Sequence, residues 1–212
     1  MAMKRKERIY LTLFAVTAVG YLPFAHWIST TPIGTSLFLW LAIFYGIVFL
    51  LALLAIPVSL ICLFFKRYRR DALLILILVL IYIPGCIYSI HLGQQVRMAR
   101  MADFADRSQI LVKAIESYTQ DHERPPEALE QLVPDYLPAV PGTGMMAYPE
   151  YNYHTGQKAR ERYQENPWVL IVPTGSGGPN WDQMMYFPKQ NYPKNGYGGW
   201  LEPVGDWAYV HE

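Results

Sequence analysis

The sequence predicts a membrane α-helical protein with an α+β extracytoplasmic domain: three spans, then a long helix packed on a small antiparallel sheet. Two observations carry this prediction. No Asp, Glu, Lys or Arg occurs between Arg8 and Lys66, a gap far longer than the roughly 20 apolar residues that cross a bilayer. After that apolar part the chain turns polar, first with a helical pattern and later with strand-like runs. We therefore expect a transmembrane anchor over residues 1–92 and a separate domain over residues 93–212.

The apolar part divides into three predicted spans. The segment TTPIGT interrupts it first, because proline and glycine punctuate a continuous helix, and the basic run KRYRR interrupts it again. The predicted spans cover approximately residues 9–28, 36–65 and 72–92. A cleaved signal peptide over residues 1–20 is the alternative for the first span, but the apolar sequence continues through Trp27.

Basic residues orient these spans, because Lys and Arg collect on cytoplasmic loops. Four precede the first span and four lie in KRYRR, whereas TTPIGT contains none. The N-terminus is therefore predicted to be cytoplasmic and the C-terminal domain to lie outside, which in a bacterial inner membrane is the periplasm. His26 and His91 are the only acidic or basic side chains in the predicted spans. We expect the spans to anchor and pack in the lipid bilayer rather than to conduct a substrate, with a homo-oligomer left open.

The charge of the predicted domain excludes one class of partner. Residues 93–212 contain ten Lys or Arg and fifteen Asp or Glu, an excess of five negative charges. Nucleic-acid binding needs a basic patch that neutralises phosphates, so no nucleic acid is expected. Cys62 and Cys86 are the only cysteines and both fall in spans, so the domain has no disulfide framework.

The domain begins with a predicted amphipathic helix over residues 94–123, in which apolar residues recur at spacings of three and four. Without a breaker other than Gly93, this helix is expected to continue the third span as one rod. Pro125 and Pro126 end it, and EALEQLV predicts a short helix whose Leu129, Leu132 and Val133 pack back. Beyond it, aromatic or β-branched runs separated by turn residues predict four or five short antiparallel strands. These runs are MAYPEYNYH, PWVLIVP, MMYFP, GWLEP and DWAYVHE.

The segment AIESYTQDHERPPEALEQLVPDYLPAVP resembles the corresponding region of the major pseudopilins of type II secretion, and YNYH and PWVLIVP are similar to the first strands of their sheet. The resemblance covers approximately residues 80–172 and implies a type IV pilin-like domain fused behind two extra spans. The chain departs from a prepilin, since it has no Gly-Phe processing site and no early Glu. We therefore expect no processing and no polymerisation into a pilus. Of the family's calcium loop, GSGGPNWDQ retains Asn180 and Asp182 only, too few for the six to eight oxygens that calcium takes.

Two groups of residues could carry acid–base chemistry. His154, His211 and Glu212 could meet across the sheet, although no nucleophile motif accompanies them. A second group, DHE at residues 121–123, consists of consecutive helical residues that point in different directions. No catalytic signature results, so we expect a protein that is not an enzyme, binds no metal and has no cofactor.

The aromatic content of the domain predicts a partner-binding face around Trp181, Tyr192, Tyr197 and Trp200, because exposed Trp and Tyr are favoured at interfaces. The alternative is that these residues fill the core or form a belt at the membrane surface.

Three functions follow from these expectations. The first is an inner-membrane-anchored binding or scaffold protein that recognises another envelope or secreted protein. The alternative is an immunity or inhibitor protein that neutralises a toxin in the periplasm, where an acidic domain would steer a basic partner. The third, an envelope enzyme, has the least support because no catalytic site is recognised.

Overall fold

The computed structural model of the protein describes residues 5–32, 35–175 and 181–212. It divides into two compact units. The membrane unit comprises Met1–Ile28 and Ser36–Arg97, and the second unit, the sheet domain, comprises Ser29–Thr35 and Met98–Glu212.

Three long helices contain the apolar sequence: α1 (Arg5–Ser29), α2 (Thr35–Cys62) and α3 (Arg69–His122). Each is long and apolar enough, by length and composition, to cross a membrane, so the three predicted apolar helices are confirmed. Large apolar side chains on the membrane unit, such as Phe44, Phe64 and Leu80, are exposed. An exposed apolar surface suits contact with lipid. A helix can lie there because it satisfies its backbone polar groups internally.

Small residues form a close contact between α1 and α3 inside the membrane unit. Gly85, Ser89 and Gly93 recur every fourth residue and so lie on one face of α3. A Cβ atom added at Gly85 would lie 3.1 Å from Cβ of Ala18, and one added at Gly93 would lie 3.2 Å from Cβ of Leu22. Between these two points the Leu22 N–H donates to the Ser89 hydroxyl at 3.2 Å. Small residues that let backbones approach are the usual means of helix association in lipid.

The second half of α3 is amphipathic and supplies one side of the main core of the sheet domain. Met101, Phe104, Leu111 and Ile115 are buried in that core. The helix is continuous from Arg69 to His122, which confirms the predicted rod. It ends where Glu123 adopts a positive φ of 58° and Pro125 and Pro126 follow.

The predicted short helix is only a single 3₁₀ turn, Leu129–Leu132. 3₁₀ geometry is common in such short connecting pieces, and Pro126 and Pro134 bound this one. Leu129 and Leu132 are buried as expected, whereas Val133 is exposed. Its predicted packing was therefore wrong, because the turn ends at Leu132 and the chain at Val133 is already extended.

The described residues of the sheet domain form one antiparallel sheet of six strands in the order β1-β2-β3-β6-β5-β4. The strands are β1 (Asn152–Thr155), β2 (Trp168–Pro173), β3 (Gln183–Tyr186), β4 (Asn195–Gly196), β5 (Gly199–Val204) and β6 (Trp207–His211). The predicted antiparallel sheet is confirmed. β4, of two residues, is the strand that the sequence pattern did not indicate.

The sheet is covered on both faces. On one face, α3 packs against side chains that include Trp168, Met184, Trp207 and Tyr209. On the other face, the short helix α4 (Gly156–Arg162) lies beside a second cluster of buried side chains. Those side chains are Ala159, Tyr163, Val169, Ile171, Met185, Phe187 and Val210. Because successive residues of a strand point to opposite faces, the two clusters take alternate residues of β2, β3 and β6.

Candidate functional site

An exposed indole lies flat on an imidazole at the edge of the sheet domain. Trp200 of β5 and His211 of β6 are direct cross-strand partners. Their ring centroids are 4.4 Å apart and the angle between the ring planes is 6°. The side chain of Trp200 is 57% exposed although it belongs to a strand. The pair therefore presents a flat aromatic surface to solvent.

Glu202 holds the imidazole of this pair in place. Its Oε2 accepts a hydrogen bond from His211 Nε2 at 2.7 Å. Tyr209 also contacts this imidazole edge-on, with a centroid distance of 4.6 Å. We call Trp200, His211 and Glu202 the Trp200 platform.

Strand register explains where the platform lies. Trp200, Glu202 and Val204 alternate along β5 and therefore share one face, and Val204 is buried in the core beneath α3. On β6 the same face carries Trp207, Tyr209 and then His211. The platform therefore lies on the α3-facing side of the sheet, next to its row of buried aromatic side chains. It is the part of that row that is exposed to solvent.

Trp181, a second predicted binding residue, is also exposed, at 68%. It lines a groove of about 380 Å³ together with Tyr148, Pro173, Gly175, Asp182, Gln183 and Glu212. A Cβ atom added at Gly198 would meet the Glu212 side chain, so this groove and the turn before β5 lie at the same end of the sheet. Trp181 and Trp200 are therefore brought to one end of the sheet domain.

Asp182 in this groove is hydrogen-bonded within the sheet domain. Its carboxylate accepts hydrogen bonds from the Tyr209 hydroxyl and, at 3.0 Å, from the Glu212 N–H. Asn180, the other residue of the proposed calcium remnant, lies outside the described residues. Within residues 5–32, 35–175 and 181–212, no group of three His, Cys, Asp or Glu side chains could hold a metal ion.

Tyr192 and Tyr197, the two tyrosines of the predicted face, lie on the opposite side of the sheet, packed against the α4-side cluster. Tyr192 stacks on Phe187 at a centroid distance of 4.8 Å, and its hydroxyl donates to Asp206 O at 2.7 Å. Burial raises the pKa of Tyr192 above its ordinary value. The four predicted residues therefore do not form one face, and both tyrosines serve packing in this structure. A role of any of the four in partner binding stays a prediction.

The histidines of the proposed acid–base pair are far apart in the sheet. His154 lies on β1 and His211 on β6, and β2 and β3 separate these strands. His154 instead faces a pocket beside α4, whose lining also includes Lys158, Glu161, Arg162 and Tyr163. Burial, and secondly the nearby Arg162 guanidinium, lower the pKa of His154. The structure therefore does not bring His154 and His211 together as a pair.

The residues at the end of α3 serve the local fold. Asp121 Oδ2 accepts a hydrogen bond from the Tyr136 hydroxyl at 2.8 Å, and this bond is the main reason why the pKa of Tyr136 is raised to about 12. His122 stacks on Tyr118 at a centroid distance of 4.1 Å. The three consecutive residues 121–123 thus do not converge on a ligand.

Sequence reasoning selected Trp200 but missed His211 and Glu202 as its supports. A signal was present, because Val204-Gly205-Asp206-Trp207 is a two-residue Gly-Asp hairpin. The turn pairs Val204 with Trp207, and counting outward from it pairs Trp200 with His211. The same count places Glu202 on the platform face, between Trp200 and Val204.

Comparisons with known proteins do not add a function to this geometry. No family model matches the chain, and neither a curated protein nor a solved structure matches it. A fold alone does not establish a function, because one fold can carry many functions and the site distinguishes them.

Proposed function

We propose that this protein is a membrane-anchored binding protein of the bacterial inner membrane, whose periplasmic domain recognises another envelope or secreted protein through the Trp200 platform. The observation that carries the proposal is the stack of Trp200 on His211, at a centroid distance of 4.4 Å, on an indole that is 57% exposed. We propose no catalytic role for this platform.

The physical reason is preorganisation. A large aromatic side chain is a typical hot spot of protein interfaces, and it binds best when little conformational freedom is lost on association. Trp200 is already fixed, because its strand is paired with β6 and its ring is stacked on His211. A partner can therefore cover the indole without first ordering it.

The orientation proposed for the chain rests on the distribution of basic residues. Eight Lys or Arg lie before the apolar run that starts at Ile9 or in the KRYRR segment, and the segment between α1 and α2 has none. The positive-inside tendency then places the N-terminus in the cytoplasm and the sheet domain in the periplasm. A reporter that folds only in the periplasm, fused after Glu212, is expected to be active. Activity of a cytoplasm-specific reporter there instead would reverse the proposed orientation.

The pilin-like character of the sheet domain is part of the same proposal. A helix that is apolar first and amphipathic later, a proline-rich segment and an antiparallel sheet occur in that order, and this order supports it. Two further helices precede α3, so we propose an anchored domain that resembles pseudopilins rather than a subunit that polymerises.

Site-specific photocrosslinking in the native membrane tests the binding function. The crosslinker replaces Trp200 in one variant and Ile110 in the control; Ile110 on α3 is 56% exposed and apolar, so the two positions match in accessibility. We expect one dominant adduct from position 200 that is absent from position 110. An envelope component as the captured protein would indicate a scaffold role, and a secreted toxin an immunity role. Equal labelling at both positions, or none at position 200, would contradict the proposal.

A further inference from the structure

We infer that the Trp200 platform recognises a basic side chain, arginine or lysine, of its protein partner. This inference rests on the proposed binding function and names the chemistry of the contact. It follows from three features of the platform: an exposed indole, a carboxylate on the same strand face and a β5–β6 hairpin that carries acidic residues but no Lys or Arg.

The indole offers the first half of the contact. His211 covers one face of Trp200 at a centroid distance of 4.4 Å and an interplanar angle of 6°, so the opposite face is the one available to a partner. Tryptophan is the aromatic side chain that attracts a cation most strongly over its ring face. A guanidinium can stack there, since it is planar and more weakly hydrated than an ammonium.

Glu202 offers the second half. It lies two residues from Trp200 on the same face of β5, within reach of a long side chain that rests on the indole. Its Oε2 accepts from His211 at 2.7 Å, whereas Oε1 makes no hydrogen bond among the described residues. An ionised carboxylate has about four acceptor positions, so Glu202 can hold His211 and a partner's cation together.

The charges around the platform favour a partner whose contacting segment is positively charged. Residues 195–212 contain Glu202, Asp206 and Glu212 but no Lys or Arg. The nearest basic residue before this stretch is Lys194, whose backbone oxygen accepts a hydrogen bond from the Leu201 N–H at 3.2 Å, and Leu201 packs against the α4-side cluster. Lys158, Arg160 and Arg162 lie on α4, on the opposite face of the sheet. A cationic segment is therefore attracted to the β5–β6 side, and an acidic one is repelled from it.

The test uses full-length protein in nanodiscs of phosphatidylcholine, a lipid without net charge, so that basic probes do not bind the bilayer. The probes are a short peptide with two arginines, acetylated and amidated at its ends, and its citrulline counterpart, which keeps the shape and loses the charge. We expect the arginine peptide to bind at least ~5-fold more tightly than the citrulline peptide, as a cation–π contact combined with an exposed ion pair implies. The difference is expected to shrink as salt is added.

Two variants locate the contact. Trp200→Ala is expected to reduce binding of the arginine peptide by about 10-fold, and Glu202→Gln by about 3-fold, with both bringing it toward the citrulline value. Ile110→Ala is the control and leaves binding unchanged. Equal binding of the two peptides, or the same affinity in Glu202→Gln and the native protein, would overturn the inference. Binding of a neutral oligosaccharide such as chitotriose without binding of the arginine peptide would overturn it as well.

The two proposals fail in different ways. If photocrosslinking at position 200 captures a protein but the arginine peptide does not bind, the binding function stands and the basic contact is wrong. If position 200 captures nothing while the arginine peptide still binds, the platform recognises cations but is not where a partner docks in the membrane.

Discussion

The indole of Trp200 and the imidazole of His211 lie parallel, with centroids 4.4 Å apart and ring planes inclined by 6°. Both residues are near the ends of their strands, and they are paired directly across the β5–β6 ladder. Pairs of this kind contribute to sheet stability. The contact therefore has two consequences that can be separated by mutation: it stabilises the edge of the sheet, and it fixes the exposed indole.

Replacing His211 separates stacking from hydrogen bonding. His211→Ala removes both the ring and the bond to Glu202, and we expect it to lower the free energy of unfolding of the sheet domain by about 1 kcal/mol. His211→Phe keeps a ring against Trp200 and is expected to retain most of that stability. Urea unfolding of the full chain in detergent, followed by tryptophan fluorescence, measures both. An equal loss in the two variants would mean that the ring stack does not stabilise this edge.

The stability of the sheet domain is expected to fall as pH falls below about 6.5, partly through His154. An unfolded histidine has a pKa near 6.5, and burial and Arg162 lower the pKa of His154 in the fold. Between the two pKa values the unfolded state binds more protons, so stability rises with pH there. The contribution of His154 to stability is fully present above about pH 6.5. It is lost as the pH falls toward the lower pKa of His154 in the folded state.

The measurement compares unfolding at pH 5 and pH 7.5 in the native protein and in His154→Asn. The variant is expected to lose less stability on acidification, because it removes the group that must be protonated. Gln157→Ala, a change of an untitratable neighbour on α4, is the control and should keep the native pH dependence. An unchanged pH dependence in His154→Asn would show that other groups account for the whole effect.

Some parts of the fold could be predicted because their signals are strong and local. Apolar runs far longer than a bilayer requires predict spans, and apolar residues at spacings of three and four predicted the second half of α3. The helix α4 was missed because only Ala159 of its seven residues is buried, so its sequence carries no apolar periodicity. Its other side chains are glycine, polar or charged, as in a loop.

The candidate site was only partly predictable, and the reason is geometric. Composition indicated exposed aromatics, but the side of the sheet on which a loop residue packs depends on contacts distant in sequence. Tyr192, for example, donates its hydroxyl to Asp206 O and accepts from the Phe187 N–H. The neighbours of strand residues are easier to predict, because one hairpin turn sets the register of all the residue pairs in the two strands that it joins. The position of His211 beside Trp200 follows from the hairpin at Gly205 and Asp206 alone.

The turn that begins β5 requires glycine at residue 199. A Cβ atom added there would lie 1.6 Å from the backbone oxygen of His211, a contact that no side-chain rotation relieves. We expect Gly199→Ala to reduce the free energy of unfolding by about 4 kcal/mol, in the range of severe point mutations, and to separate Trp200 from His211. Gly205→Ala is the matched comparison, since Gly205 has a φ of +59° but nothing lies within 4 Å of a Cβ atom added there. It should cost about 1 to 2 kcal/mol, the expense of a left-handed residue. Equal effects in urea unfolding would contradict the predicted close approach.

The contact between α1 and α3 should depend on the size of residue 85. A Cβ at Gly85 would lie 3.1 Å from Cβ of Ala18, so alanine needs a shift of a few tenths of an ångström, whereas leucine forces the helices apart. Overpacking of this kind costs about 1 to 3 kcal/mol, and the Leu22 to Ser89 hydrogen bond one turn away would be strained with it. Gly85→Leu should therefore lower the thermal unfolding temperature of the full chain in detergent, and Gly85→Ala should lower it less.

Gly46→Leu on α2 is the control, because nothing lies within 4 Å of a Cβ at that position. If Gly46→Leu destabilises the protein as much as Gly85→Leu, the loss reflects leucine at a glycine position in general, and the small-residue contact does not hold α1 against α3.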